Sequence, residues 1–211
     1  MLKFLKYLSS LLLFILVLAF LYHQYSLIKE KKFLTSSIGQ RVEVDGKQMN
    51  VYVAGNGPKT LVFLSGSGTS SPILDFKSLY SKLVKDYRVV VVEKFGYGFS
   101  DDWSKDRDLD TILSQTRKAL QKADVKGPYV LLPHSMSGLE ALHWSASYPK
   151  EVEAIIGLDM SLSQAYDKYR SNRLLYKTLQ LAANLGLSRW LYSPDKEIHS
   201  LSNGSLNLKE R

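Results

Sequence analysis

Leu132-Pro133-His134-Ser135-Met136-Ser137-Gly138 is the stretch whose reading decides the fold. The apolar residues 129–132 before it read as a buried strand, and residues 137–148, ended by Pro149, have helical spacing. A serine held on so short a strand-to-helix turn exposes its hydroxyl and strains its backbone. The same turn crowds the residues two before and two after the serine, so glycine usually fills both places. Pro133 and Ser137 fill them here, one rigid and one small, so the G-x-S-x-G pattern is degenerate. Ser137 fits the nucleophile position less well, flanked as it is by Ser135 and Leu139. A helix N-cap is the plain alternative for Ser135.

Outward from this turn, residues 60–64, 87–93 and 152–158 are further apolar runs, with Val89 to Val92 consecutive. Residues 41–44 and 48–53 alternate apolar with polar and meet at Asp45-Gly46, a tight-hairpin signal. Helical spacing covers 74–84 and 109–123. Strands alternating with helices predict an α/β fold, a mostly parallel sheet with helices on both faces. The opening hairpin adds an antiparallel edge, and the strand count reaches six before Asp159.

In such sheets ligands bind beyond the carboxyl ends of the strands. Two more strand ends carry unusual residues. Ser65-Gly66-Ser67-Gly68-Thr69 is a loop of small residues that can present backbone N–H groups to a developing oxyanion. The N–H groups of Ser67 and Met136 are the candidate pair, and one such donor is worth ~3–4 kcal/mol in the transition state. An ordinary loop is the plain alternative. A dinucleotide-binding fingerprint would need a third glycine at 71, where Ser71 stands before Pro72. Glu93-Lys94-Phe95-Gly96-Tyr97-Gly98-Phe99-Ser100-Asp101 follows the valine strand and by itself is a glycine turn, expected to pack beneath the site.

Together and in this order, the three strand ends resemble the α/β-hydrolase superfamily. Its members often read HGxG after the third strand, D-R-x-G-x-G-x-S after the fourth and GHSMGG at the nucleophile turn. Ser-Gly-Ser-Gly, Glu-Lys-Phe-Gly-Tyr-Gly-Phe-Ser and Pro-His-Ser-Met-Ser-Gly stand in those places here. The likeness covers residues 41–160 and is closest to a membrane-anchored, single-domain, capped branch, esterase-like or iminopeptidase-like. It implies that Ser135 is a nucleophile, with Ser67 and Met136 as oxyanion donors.

The resemblance also implies an acid and then a histidine, usually after the seventh and eighth strands. A serine hydroxyl is a weak nucleophile near neutral pH without an adjacent base. His23 lies in the N-terminal apolar segment, His134 adjoins the serine, His143 is two turns up the next helix, and His199 sits in a polar tail. Asp159 is the candidate acid, since some relatives place theirs after the sixth strand; an N-cap is its alternative. Glu140 reads as a charge complement to the start of its helix. From Ser161 onward the chain has no valine, one isoleucine and one threonine, and Leu174, Leu175, Leu179 and Leu185 stand near helical spacing. Residues 161–211 therefore read as the helical start of a cap, with the last two strand units expected beyond a chain that stops early.

Residues 1–32 complete the organisation, leaving 33–160 as the core. Residues 11–22 are uninterrupted apolar sequence, and extending the helix to 7–28 gives ~33 Å, enough for a hydrocarbon core of ~30 Å. A cleaved signal peptide is the rival, but no small-x-small site follows closely. The expectation is an uncleaved single-pass anchor with the catalytic domain outside the cytoplasm. Lysines flank the segment, and residues 1–32 carry +4 of the +8 net charge of the 211 residues. The remainder mixes both signs without a basic run, which argues against nucleic acid as a partner. Zero cysteines remove disulfides, thiolate nucleophiles and cysteine metal sites, and the four histidines show no metal-ligand spacing.

The expected activity is acyl transfer from a small-molecule ester or amide, with no metal or organic cofactor and the lipid bilayer as partner. The alternative is a truncated, inactive remnant or a binding protein that keeps the pocket without a base.

Overall fold

The computed structural model describes residues 2–30, 37–166 and 172–191. The chain divides into two compact units, one of residues 37–169 and one of residues 1–36 with 170–211.

The first unit carries the sheet. Its strands are β1 (Gln40–Val44), β2 (Lys47–Ala54), β3 (Thr60–Leu64), β4 (Arg88–Glu93), β5 (Tyr129–Ser135), β6 (Val152–Ile155) and β7 (Leu158–Met160). They run in the order β1-β2-β4-β3-β5-β6, with β7 also on β5. The pairs β1–β2 and β2–β4 are antiparallel, and every pair from β4 through β3 and β5 to β6 and β7 is parallel. The hairpin forms where Asp45-Gly46 predicted it: both residues are left-handed, at φ 51° and 80°, as a two-residue hairpin turn demands.

The consecutive valines of β4 are explained by what lies on each face. Val89 and Val91 pack with Phe63, Ile73 and Tyr80, under the short helices α2 (Pro72–Asp75) and α3 (Lys77–Leu83). Val90 and Val92 pack with Leu113, Leu120 and Trp144 from α4 (Leu109–Lys122) and α5 (Ser137–Ser147). A strand covered on both sides loses the usual alternation. The helix expected over 74–84 is two helices, because Phe76 caps the first and opens the second.

The apolar run 152–158 is not one strand but two. β6 pairs with β5 up to Ile155–Leu131, β7 resumes at Leu158–His134, and Ile156-Gly157 interrupts them. Pro133, which has no N–H to give, stands on β5 between those registers. A proline that a central strand normally rejects is thus carried through, and β5 reaches Ser135 rather than ending at 132.

Arg117 of α4 ties this layer to the short 3₁₀ turn Pro149–Glu151. Its Nε and Nη2 lie 2.8 and 2.5 Å from the Glu151 carboxylate, which also accepts from Trp144 Nε1 at 2.9 Å, and its guanidinium covers the Tyr148 ring at 3.5 Å. The Arg117 hydrogen bond, against the opposing effect of burial, holds the Glu151 carboxyl below its ordinary range. A depressed carboxylate stabilises the fold above the unfolded-state value and loses that contribution as pH falls through the folded one. The gap in thermal midpoint between wild type and Glu151→Gln should therefore be widest near neutral pH and close on acidification. A gap independent of pH would refute that assignment.

The second unit holds α1 (Leu2–Glu30), α6 (Arg173–Asn184) and α7 (Ser188–Leu191). Residues 3–30 of α1 are long and apolar enough to cross a membrane, as a core helix or a signal sequence also can be. Nearly all of its apolar side chains are exposed.

Candidate active site at the strand ends

Ser135 is the last residue of β5, and the cap position of α5 is Met136, so the N-cap alternative for Ser135 does not apply. Its φ is 51°, a left-handed conformation that costs a side-chain-bearing residue about 1–3 kcal/mol. The loop after β3 lies against it. A Cβ built on Gly66 would stand 2.8 Å from Ser135 Cβ and 3.3 Å from its Oγ, so only glycine permits this approach. Among the described residues neither the Ser67 N–H nor the Met136 N–H has a hydrogen-bond acceptor. Two amide donors at adjoining strand ends are left unspent.

The departures from glycine around the turn have structural answers. Ser137 is buried; its Oγ accepts from the His134 N–H at 2.9 Å and lies 2.6 Å from the Leu64 carbonyl and 2.8 Å from that of His134. Its single proton serves one of those carbonyls, so the hydroxyl joins the end of β3 to the end of β5 and is not free for chemistry. Gly138 keeps the close packing that the pattern requires: a Cβ there would meet the Ser161 carbonyl at 2.4 Å. Ser161 in turn donates its N–H to the Ser135 carbonyl at 2.8 Å.

Beneath the loop is a buried ion pair absent from the sequence-based expectations. Lys94 pairs with Glu140, their side chains 9% and 2% exposed. Lys94 Nζ donates to the Ser65 carbonyl at 3.0 Å, and Thr116 Oγ1 donates to Glu140 Oε1 at 3.0 Å. One network therefore joins the ends of β3 and β4 to α4 and α5. Glu140 stands in the first turn of α5, where a charge complement to the helix start was expected, and is also the counter-charge of a buried lysine. Its only sequence signal was a Glu93-Lys94 charge pair abutting four valines. Glu93 is fully buried and accepts from Asn50 Nδ2 at 3.0 Å, Ser71 Oγ at 3.1 Å and the Phe99 N–H at 2.8 Å. The glycine turn packs onto it, since a Cβ on Gly98 would fall 2.1 Å from the Glu93 carboxylate. A cavity of about 460 Å³ lies between this network and the strand-to-helix turn at Ser135, the elbow, with Ser65, Gly66, Tyr97, Arg107 and Met136 in its wall.

Asp159 stands on β7 beside the elbow, between Leu158, opposite His134, and Met160, opposite Ser135. It too is left-handed, at φ 49°, and is exposed. It caps no helix, because the 3₁₀ turn that follows begins only at Ser163. None of the three described histidines is hydrogen-bonded to Ser135. His134 turns its ring edge-on to Phe76, His143 Nε2 lies 2.7 Å from Asp110 Oδ1, and His23 Nδ1 accepts from Arg189 Nε at 2.8 Å. His199 lies outside the described residues.

Comparison with known proteins agrees with this architecture. A family model described as alpha/beta hydrolase fold matches residues 59–188. The uncharacterized protein YbdG of Bacillus subtilis (strain 168) is 45% identical over 195 residues, covering 89% of this chain. The chain spans 60% of the length of that relative. The 2-(acetamidomethylene)succinate hydrolase of Mesorhizobium japonicum (strain LMG 29417 / CECT 9101 / MAFF 303099) is 24% identical over 124 residues, 59% of this chain and 43% of its own. Among solved structures, Est816, described as an N-acyl homoserine lactone degrading enzyme, superposes with a TM-score of 0.58 at 16% identity, covering 79% of this chain and 66% of its own. At that identity the likeness is one of fold.

Proposed function

The chain belongs to the α/β-hydrolase family, and from that premise we propose that it is a serine hydrolase scaffold acting on a small ester or amide through Ser135. The observation that carries this reading is the left-handed Ser135 at the end of β5, pressed against Gly66 with two unspent amide donors at hand. In the proposed reaction Ser135 Oγ attacks the carbonyl carbon while its proton passes to a base. The carbonyl oxygen gathers negative charge toward the N–H groups of Ser67 and Met136. Collapse of the tetrahedral adduct expels the protonated alcohol or amine and leaves an acyl-serine, which water hydrolyses to the acid and free Ser135. Asp159 is the proposed acid, orienting the base from the neighbouring strand. The route draws on no metal and no organic cofactor.

By its name, one relative is a hydrolase of an acetamido compound. A second reading, a binding protein on the same scaffold, draws on the absence of a hydrogen bond from any described histidine to Ser135. Reaction of the full chain with a fluorophosphonate probe separates the two. Labelling that depends on Ser135 supports the hydrolase, and no labelling at any residue supports the binding protein.

We further propose that α1 anchors the chain in the bilayer. Its residues 3–30 rise ~42 Å as a helix, ample for a tilted crossing of ~30 Å. The full-length product should stay in the membrane pellet through alkaline carbonate washing. A soluble product whose N-terminus lies near residue 25 would instead mark a cleaved signal peptide.

A further inference from the structure

α6 is amphipathic and its apolar side is bare. At 100° per residue, Leu174, Leu175, Thr178, Leu179, Leu181, Ala182 and Leu185 fall within an arc of about 160°, with Lys177, Gln180 and Asn184 opposite. Leu174, Leu175, Leu179 and Leu181 are 73%, 50%, 56% and 59% exposed. The helix is nonetheless well formed, with the Asn172 side chain accepting from the Leu175 N–H at 3.0 Å. Four leucines on one side of a short helix need a cover.

The place of α6 in its unit says which cover. The turn between α6 and α7 is pinned onto α1. Gly186, left-handed at φ 80°, comes so close that a Cβ would meet His23 Cβ at 2.4 Å. Arg189 of α7 then clamps two points of α1: Nε donates to His23 Nδ1 at 2.8 Å, and Nη1 and Nη2 each lie 2.6 Å from a Glu30 oxygen. His23 and Glu30 are two turns apart on one side of α1, ~10 Å along its axis. They bracket the polar end of that helix, where Gln24, Ser26 and Lys29 succeed the uninterrupted apolar residues 11–22. In an anchored chain this is the stretch at the water–lipid boundary, where such side chains collect.

We propose that α6 is an interfacial helix, its Leu174/Leu175/Leu179/Leu181 side seated in the bilayer at the boundary between headgroups and acyl chains. This rests on the membrane reading of α1 and extends it. α6 leads directly into the turn and the Arg189 clamp that hold the polar end of α1. Strong amphipathicity with low net hydrophobicity is the pattern of helices that lie in the interface. Lys177, on the polar side, is placed to meet anionic headgroups. The transmembrane helix and the interfacial helix then form one device with two grips on the lipid.

The chain has no cysteine, so single cysteines can be introduced and labelled with the environment-sensitive dye NBD. The full chain would be reconstituted in phosphatidylcholine–phosphatidylglycerol vesicles containing lipids with a nitroxide near the headgroup or deep in the acyl chain. Label at Leu179→Cys should emit to the blue of label at Gln180→Cys. It should also be quenched several-fold more strongly by the shallow nitroxide than label at Gln180→Cys. Leu175→Cys and Lys177→Cys should repeat the contrast and guard against one poorly folded variant. Label at Leu12→Cys, in the uninterrupted apolar stretch of α1, reports the anchor itself. If it is quenched by deep nitroxide while positions 175 and 179 stay aqueous, the interfacial helix is refuted and the anchor stands. If positions 175 and 179 emit to the blue without lipid quenching, protein covers the face, from a second copy or a further segment, and the proposal fails. If position 12 is not quenched either, the membrane reading falls with it.

Discussion

Replacing Glu140 by alanine should destabilise the hydrolase unit by about 3–5 kcal/mol, the usual cost of stranding one partner of a buried ion pair. Lys94 would keep its hydrogen bond to the Ser65 carbonyl but lose the carboxylate paired with it, in a place where its side chain is 9% exposed. Desolvating an ammonium is expensive, and one neutral carbonyl does not offset it. Glu140→Gln should cost less, because the amide still accepts from Thr116 Oγ1. Lys94→Met with Glu140→Leu should recover most of the loss, since well-packed apolar pairs often equal or exceed buried ion pairs. Urea unfolding of the detergent-solubilised chain, followed by tryptophan fluorescence to which the fully buried Trp144 contributes, reads all three. A wild-type midpoint for Glu140→Ala would show that Lys94 does not need it.

The same ion pair shows where sequence reasoning stops. The valine run, the Asp45-Gly46 turn and the small-residue loop were legible because each is a local consequence of its own residues: burial on both faces, φ above zero, close backbone approach. The turn around Ser135 was legible for the same reason, even with Pro133 and Ser137 in place of glycine. Lys94 and Glu140 are 46 positions apart and meet only because α4 and α5 pack side by side over β4 and β5. Neither charge carries a local mark that it will be buried, and Glu140 at the start of a helix has an ordinary explanation nearer to hand. The break at Ile156-Gly157 was hidden in a similar way. An apolar run says only that a segment is buried in a sheet; which residues find partners depends on Pro133 in the neighbouring strand. The helix break at Phe76 escaped because apolar spacing continues through it. Asp159 is the intermediate case. Its place at a strand end was legible, whereas its left-handed backbone beside an equally left-handed Ser135 was not.

Ser135→Ala should abolish fluorophosphonate labelling and bring p-nitrophenyl butyrate hydrolysis by the 211-residue chain down to whatever the remaining site supports. The alanine variant keeps the β-carbon and the left-handed turn, so a loss of labelling reports chemistry rather than collapse. What remains without the nucleophile is binding and the oxyanion donors, typically ~10³–10⁴-fold over water when a triad member is removed from an intact site. An unassisted serine hydroxyl is a poor nucleophile, so turnover through Ser135 requires a base within reach of its Oγ. Gly66→Ala supplies the second comparison. Its Cβ would press on Ser135 at 2.8 Å and push the Ser65–Thr69 loop from the elbow, so turnover should fall by ~10²–10³, the loss typical of a displaced oxyanion donor. Labelling that survives Ser135→Ala would move the nucleophile elsewhere. Ser137 is a poor substitute, since its hydroxyl is buried and holds β3 to β5. Robust turnover that vanishes with Ser135 would sink the binding-protein reading, because it would require a base within reach of Oγ. His199 would then be the residue to replace next, as the remaining histidines are engaged with Phe76, Asp110 and Arg189.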